Sequence, residues 1–182
     1  MTLRNTTKLY GLLSIAFHWV IVIQLIAVYA CINLTDLFPK NSVPRSALLM
    51  WHFMMGLSVL VIAMLRVLNR LTGPVPVPLA DTPRWQNVLA GVTHFALYGL
   101  LISMPLLGWL TLSALGTPVP FFGLTLPPLM GADASLAHQF KEIHETLGTA
   151  GYYLIGLHVC AGLFHHYVKR DGTLRRMWPG FS

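Results

Sequence analysis

The chain has 182 residues, of which 55% are hydrophobic and only 10% are charged, and its formal net charge is +6. This length fits one domain, and the residue balance excludes an ordinary soluble globular protein. A disulfide-stapled secreted domain is also excluded, because the only two cysteines, Cys31 and Cys160, have predicted positions too far apart to bond.

Four apolar stretches are long enough to cross a lipid bilayer, which requires about 20 residues each. They cover residues 9–34, 47–68, 88–115 and 143–168. A soluble protein could carry one such stretch in its core, but hardly four. We therefore predict an all-α integral membrane protein in which residues 1–182 form a single four-helix bundle.

The twelve Lys and Arg residues are distributed unevenly between the two sides of this predicted membrane protein. If the spans alternate in direction, one side carries three of them, Lys40, Arg45 and Lys141. The other side carries nine, namely Arg4, Lys8, Arg66, Arg70, Arg84, Lys169, Arg170, Arg175 and Arg176. The positive-inside rule makes the second side cytoplasmic, with both termini inside. The basic charge then reflects topology and contact with anionic lipid, so no nucleic-acid partner is expected.

The first two spans each carry one histidine. His18 lies about a third of the way into the first span from the cytoplasmic side. The second span runs in the opposite direction, so His52 lies near the outer surface and Arg66 near the inner surface. A loop at residues 35–46 joins them, and its two prolines rule out a continuous helix.

The third span carries His94 close to its inner end. The segment that follows, residues 116–131, is apolar but contains four prolines and is too short to cross a membrane. Irregular backbone is not tolerated in contact with lipid tails. We therefore predict that this segment is an interfacial loop over the outer mouth of the bundle.

The fourth span carries His144 at its outer end and His158 in its inner half. They are 14 positions apart, which corresponds to about 21 Å along one face of a helix. Gly148, Gly151 and Gly162 fall on the same face. Small residues at such spacings also allow membrane helices to pack closely, so the glycines alone indicate helix packing. Histidine within a membrane is rare, and its alignment with the glycines favours a ligand.

Depth divides four of these histidines into two pairs, with the fourth span contributing to both. His52 and His144 lie near the outer surface, whereas His18 and His158 lie in the inner half. An iron porphyrin held by two imidazoles needs one on each face of the ring, and facing helices of a bundle can supply them. The pattern predicts two six-coordinate haems, one near each membrane face.

Two kinds of alternative remain: a different role for single residues, and a chemistry other than haem binding. His94 lies at about the depth of His18, so it is the competing inner ligand; otherwise it could bond a haem propionate or pass protons to a quinone. Arg66 could either extend to the interface or pair with a propionate of the inner haem. A zinc site would gather four ligands at one depth, which His18 and His52 cannot do. A proton relay would not explain the glycines.

Several short motifs, in their order and spacing, resemble the bacterial cytochrome b561 family over essentially the whole chain. They are His18-Trp19, Trp51-His52 with Gly56, His144-Glu145-Thr146-Leu147, Gly156-Leu157-His158 and His165-His166-Tyr167. The loop sequence Phe122-Gly123-Leu124-Thr125-Leu126-Pro127 further resembles the superoxide oxidase branch of that family.

The resemblance implies a four-helix bundle in the bacterial inner membrane with two b-type haems. It assigns His18 and His158 as the inner ligands and His52 and His144 as the outer ligands. The branch implies oxidation of periplasmic superoxide to dioxygen, with electrons delivered to ubiquinone. The alternative is a quinone-linked cytochrome subunit that serves a partner dehydrogenase or hydrogenase. A non-redox protein that relays protons or binds an ion is a third hypothesis.

Superoxide is a small anion, so a positive patch near the outer haem would speed its arrival. Lys40, Arg45 and Lys141 are the candidate residues for this patch. The same side also carries four acidic residues, Asp36, Asp133, Glu142 and Glu145. The charges therefore do not give a net positive surface by count, and only their placement could produce one.

Overall fold

The computed structural model describes residues 2–77 and 82–178, and most of them lie in four long helices. These are α1 (Leu12–Leu34), α2 (Val43–Leu71), α3 (Arg84–Ala114) and α4 (Ala134–Phe164). All four are long and apolar enough to cross a membrane. The chain is thus a multi-pass membrane protein, as the sequence predicted.

Helix α4 begins well before the span predicted at residues 143–168. Its first turn is capped by Asp133, whose carboxylate accepts hydrogen bonds from the backbone N–H of Ser135 (2.9 Å) and Leu136 (3.0 Å). An ion pair one turn apart, Lys141 with Glu145 (3.0 Å), further supports this polar part of the helix. Hydropathy marks only the apolar part of a helix, so these polar turns escaped the sequence prediction.

The bundle is assembled from two closely packed helix pairs, α1 with α2 and α3 with α4, which α2 and α3 join. One core cluster combines Ile21 of α1, Val59 and Ala63 of α2, and Leu101 of α3. Helix α4, in contrast, does not pack closely along α1 or α2. Side chains bridge this space, as where the Tyr29 hydroxyl donates to the carbonyl oxygen of Gly148 (3.0 Å).

Residues 116–131, predicted as an irregular interfacial loop, contain a short antiparallel hairpin. Strand β1 (Val119–Phe121) pairs with β2 (Leu124–Leu126), and Phe122 and Gly123 turn the chain with φ of 46° and 85°. Positive φ at both positions is typical of a two-residue hairpin turn. Pro120 faces Thr125 in the non-hydrogen-bonded pair of this register, so its missing N–H leaves the ladder intact.

The hairpin is anchored to the bundle by apolar packing and by one tryptophan. Val119 is completely buried and packs with Leu57 of α2 and Leu112 of α3. The indole Nε1–H of Trp109 donates to the carbonyl oxygen of Pro127 (3.1 Å). The hairpin therefore closes one end of the bundle, which we call the hairpin end.

The opposite end, which we call the terminal end, brings together residues 2–11, 72–77 and 165–178. The Val77 N–H donates to the Thr7 carbonyl (3.0 Å), and the Arg176 guanidinium donates to the Val77 carbonyl (2.9 Å). The Trp19 indole donates to the Met177 carbonyl (2.7 Å), which ties the last described segment to α1. Backbone segments from three parts of the chain thus cover this end.

A turn after α4 orients the last described segment. Asp171 pairs with His165 and accepts hydrogen bonds from the N–H (3.0 Å) and hydroxyl (2.6 Å) of Thr173. Partial burial by itself would raise the pKa of the Asp171 carboxyl, but the hydrogen bonds from Thr173 and His165 together outweigh it and lower that pKa. The turn is therefore held by a carboxylate that stays ionised at neutral pH.

The side chains of Tyr29 (α1) and Leu100 (α3) reach α4 at Gly151, which predicts that this position does not readily accept a side chain. A Cβ at Gly151 would overlap the Tyr29 hydroxyl and lie 3.1 Å from Leu100 Cδ2. We expect Gly151→Ala to lower the free energy of unfolding by about 1–3 kcal/mol through overpacking. Gly156→Ala, in the same helix, is the matched control, because a Cβ there meets nothing within 4 Å. Thermal unfolding in detergent measures both, and equal stabilities would contradict this packing.

Candidate functional site

The structure brings the four predicted histidines together as two facing pairs. At the hairpin end, the rings of His52 (α2) and His144 (α4) have centroids 6.2 Å apart and planes at 74°. Toward the terminal end, the rings of His18 (α1) and His158 (α4) have centroids 6.4 Å apart, also at 74°. The two pairs have nearly the same geometry although their partner helices differ.

The spacing within each pair is what two imidazoles on one metal ion require. A metal–imidazole nitrogen bond is about 2 Å long and the ring centre lies about 1 Å beyond the nitrogen, which places opposed ring centres about 6 Å apart. Both pairs match this separation. The rings of each pair come from helices that do not pack closely along each other, and a cavity lies beside the first pair.

His94, the competing inner ligand, lies beside the second pair. Its ring centroid is 5.4 Å from that of His158, which is shorter than the separation in either facing pair. This distance fits a side-by-side contact better than two ligands on one ion. The geometry therefore favours His18 over His94 as the partner of His158.

Glycines and apolar side chains shape the space at the first pair. A cavity there is lined by His52, Gly56, Pro105, Gly108 and His144, with Phe53, Leu57, Trp109 and Leu112 completing its wall. A Cβ at Gly56 would meet nothing within 4 Å, whereas one at Gly108 would lie 3.5 Å from Cε1 of His144. Such a cradle suits the edge of a porphyrin.

The hydrogen bonds of the histidine rings differ between the two pairs. Nδ1 of His52 lies 3.0 Å from the carbonyl oxygen of Val28, which can only accept, so Nδ1 carries the hydrogen and leaves the Nε2 lone pair for a metal. Nδ1 of His18 instead lies 3.0 Å from Nη1 of Arg66. The Arg66 guanidinium carbon also lies 5.7 Å from the centre of the Tyr98 ring. Arg66 thus contacts the inner pair directly.

A pair of imidazoles per site is the ligand set that haem uses. In the part of the chain that the structure describes, no group of three or more His, Cys, Asp or Glu side chains is arranged to hold a metal ion. A protein zinc site takes about four such ligands, whereas a porphyrin provides four ligands to iron and leaves two positions for histidine. The residues present therefore fit haem at both levels.

The three cations proposed to attract superoxide have different surroundings. Arg45 forms an ion pair with Asp36 (3.7 Å) and donates to the carbonyl of Thr35, so it holds the loop after α1. Lys141 pairs with Glu145. Lys40 is exposed, and no described residue forms an ion pair or hydrogen bond with its side chain. Of these three cations, Lys40 alone has no acidic partner among the described residues.

Several contacts of the site were not predicted, including that of Arg66 with His18. The Val28 carbonyl orients His52, and no sequence signal identifies a backbone acceptor of this kind. Trp19 contacts the His18 ring at 5.4 Å and the Trp178 ring at 5.6 Å, which places the C-terminal segment against the inner pair. The sequence carries no signal for these ring contacts, since Trp19 lies within the first predicted span and Trp178 lies beyond the last one.

Comparison with known proteins identifies the family. The protein family described as prokaryotic cytochrome b561 matches residues 9–180. A Yersinia pestis protein named "Probable superoxide oxidase CybB" is 36% identical over 173 residues, which cover 94% of this chain and 97% of that protein. The Escherichia coli K12 protein "Cytochrome b561 homolog 1" is 34% identical, and the match covers 91% of this chain and 94% of that protein. A second protein of the same organism, "Cytochrome b561 homolog 2", is 31% identical, over 97% of this chain and 95% of its own length.

The family match agrees with the geometry of the histidine pairs. Membership implies that the chain binds b-type haem and transfers electrons, which excludes the hypothesis of a non-redox histidine relay. The resemblance inferred from the short motifs is confirmed by the match over nearly the entire chain. This four-helix membrane protein belongs to the prokaryotic cytochrome b561 family.

Proposed function

We propose that the protein is a di-haem superoxide oxidase that passes electrons from superoxide to ubiquinone. Two superoxide anions give two dioxygen molecules and two electrons, and one ubiquinone takes up both electrons and two protons to form ubiquinol. The observation that carries this proposal is the presence of one facing imidazole pair at each of two membrane levels. Similarity to the Yersinia protein named for superoxide oxidation supports the choice of donor.

In this proposal, His52 and His144 hold one haem, and His18 and His158 hold the other. Haem b held between two histidines would supply one-electron transfer, and its iron would not need to bind oxygen directly. The Val28 carbonyl fixes the tautomer and orientation of His52. The hairpin, packed through Val119 and held by Trp109 of α3, lies beside the outer pair and would limit the access of water to it.

We also propose that the terminal end faces the cytoplasm and the hairpin end faces the periplasm. Nine of the twelve Lys and Arg residues lie on the terminal side of the four helices and three on the hairpin side, an asymmetry that sets orientation in bacterial inner membranes. Superoxide, an anion that crosses membranes poorly, would then react at the periplasmic, hairpin end.

The donor is tested by mixing the purified, oxidised protein with superoxide in a stopped-flow spectrophotometer. We expect the visible spectrum of reduced haem to appear before superoxide dismutates, and added ubiquinone to reoxidise the haem with formation of ubiquinol. A protein that superoxide leaves oxidised, but that copurified dehydrogenase or hydrogenase reduces, would instead be a cytochrome subunit. The ion pairs of Arg45 and Lys141, which leave little free positive charge, favour that second candidate.

The ligand assignment predicts which histidine replacements remove which haem. We expect His52→Ala or His144→Leu to leave about one haem per chain, because each replacement removes one of the two histidines that would hold the haem at a single level. His18→Ala should remove the other haem, and His158→Ala should do the same.

The control is His94→Ala, which we expect to retain two haems because the spacing of His94 from His158 does not suit a shared iron. The pyridine haemochrome assay measures the haem-to-protein ratio of each variant. Loss of one haem from the His94 variant, with two retained in the His18 variant, would reverse the assignment of the inner ligand.

Exposure of Lys40 predicts a salt-dependent effect on the rate of reduction by superoxide. Lys40→Gln should slow the bimolecular rate about twofold at low ionic strength and have no effect at high salt, because the interaction is long-range and screened. Lys8→Gln, at the terminal end, is the matched control and should leave the rate unchanged. Equal rates for all three proteins at low salt would contradict a steering role for Lys40.

A further inference from the structure

The two histidine pairs contact groups of opposite character at Nδ1. In the outer pair, Nδ1 of His52 faces the carbonyl oxygen of Val28, a neutral acceptor. In the inner pair, Nδ1 of His18 faces the guanidinium of Arg66, a permanent cation. Both separations are 3.0 Å. The pairs thus resemble each other in ring geometry and differ in their surroundings.

We propose that Arg66 is a positioning residue that raises the reduction potential of the haem at His18 and His158 above that of the haem at His52 and His144. This inference rests on the haem ligation given under the proposed function. It adds a role for Arg66 that depends on the charge of its side chain.

Charge supplies the physical reason at the inner pair. Reduction adds one electron to the iron, so a nearby fixed positive charge stabilises the reduced state relative to the oxidised state. Arg66 is half-buried between α1 and α3, where water screens its charge less than at an exposed position. Arg66 therefore favours reduction at the inner site.

Hydrogen bonding acts in the opposite direction at the outer pair. When the Val28 carbonyl accepts the Nδ1 hydrogen of His52, the imidazole becomes a more basic ligand. A more basic ligand stabilises the oxidised, more positive iron. The Val28 contact and the Arg66 contact therefore both make the inner site the one with the higher potential.

The effect of Arg66 arises from its charge and does not require the hydrogen bond to His18. Arginine has donors and no acceptor, and a neutral imidazole bound through Nε2 carries a hydrogen on Nδ1. Two N–H groups cannot hydrogen-bond to each other, so with iron on Nε2 the guanidinium would shift from this 3.0 Å position while its charge stays beside the ring. The Tyr98 ring, 5.7 Å from the guanidinium carbon, holds the charge at this level through a cation–π contact.

The charges near the outer pair would not raise the reduction potential of its haem as Arg66 does at the inner pair. Glu145, the neighbour of His144, is an anion paired with Lys141, and Arg45 is paired with Asp36. No described cation contacts the His52 or His144 ring as Arg66 contacts His18. The potential difference favours electrons at the terminal end, the cytoplasmic side in the proposed topology.

A spectroelectrochemical titration of the intact di-haem protein tests the inference. We expect two redox components in the natural protein, and His144→Leu, which keeps only the inner haem, assigns the component with the higher potential. Arg66→Gln should shift that component to lower potential and leave the other in place. Arg66→Lys, which keeps the charge, should retain most of the higher potential.

Arg70→Gln is the matched control, because Arg70 lies one turn further along α2 and makes no contact with a ligand ring among the described residues. Arg66→Met is measured beside Arg66→Gln, and the inference is judged on the neutral variant that retains both haems. An unshifted upper component in that variant, or an equal shift in Arg70→Gln, would overturn the role of Arg66. If superoxide still reduces the haem in such a variant, the proposed function is unaffected. A single haem in the natural protein would instead contradict the proposed ligation.

Discussion

Two pairs of imidazole rings, facing each other about 6 Å apart at separate levels of the bundle, are the constraint that the rest of the molecule satisfies. Rings that approached each other more closely would leave no room for an iron between them, and rings further apart could not share one. The helices therefore cannot all pack against one another. Helices α1 and α2 pack together, as do α3 and α4, while α4 stays apart from the first two. In the proposed ligation, the cofactors occupy the space that this arrangement leaves between α4 and the first two helices.

The two ends of the bundle hold the helices together in different ways, although α4 does not pack closely along α1 and α2. At the hairpin end, a two-stranded ribbon inserts Val119 between α2 and α3 and is held by the indole of Trp109. At the terminal end, three separate segments contact one another through backbone carbonyls, and Trp19 anchors the last of them. Apolar packing thus closes one end, and hydrogen bonds close the other. Each closure lies next to one histidine pair.

Sequence reasoning located the helices and the histidine levels, because hydropathy marks lipid-crossing segments and helical rise converts position into depth. It did not locate the hairpin, since each strand has only three residues and Pro120 argues against a strand unless the register is known. The ion pair of Lys141 with Glu145 could have been predicted from its spacing of four, and it weakens the expected positive patch. The Val28 carbonyl and the contact of Arg66 with His18 depend on backbone placement and rotamers, which no residue pattern carries. The assignment of ligands to iron stays a prediction.

One feature of the pairing bears on how the protein is made. Helix α4 supplies one ring to each pair, and it is the last of the four to leave the ribosome. Until it enters the bilayer, the first three helices expose only half of each site, with His18 and His52 lacking opposite partners. Neither His18 nor His52 would then have a second histidine with which to hold a haem from both sides. In the proposed ligation, both haem sites are complete only when α4 is in place, so a nascent chain interrupted before α4 would lack one ligand of each pair.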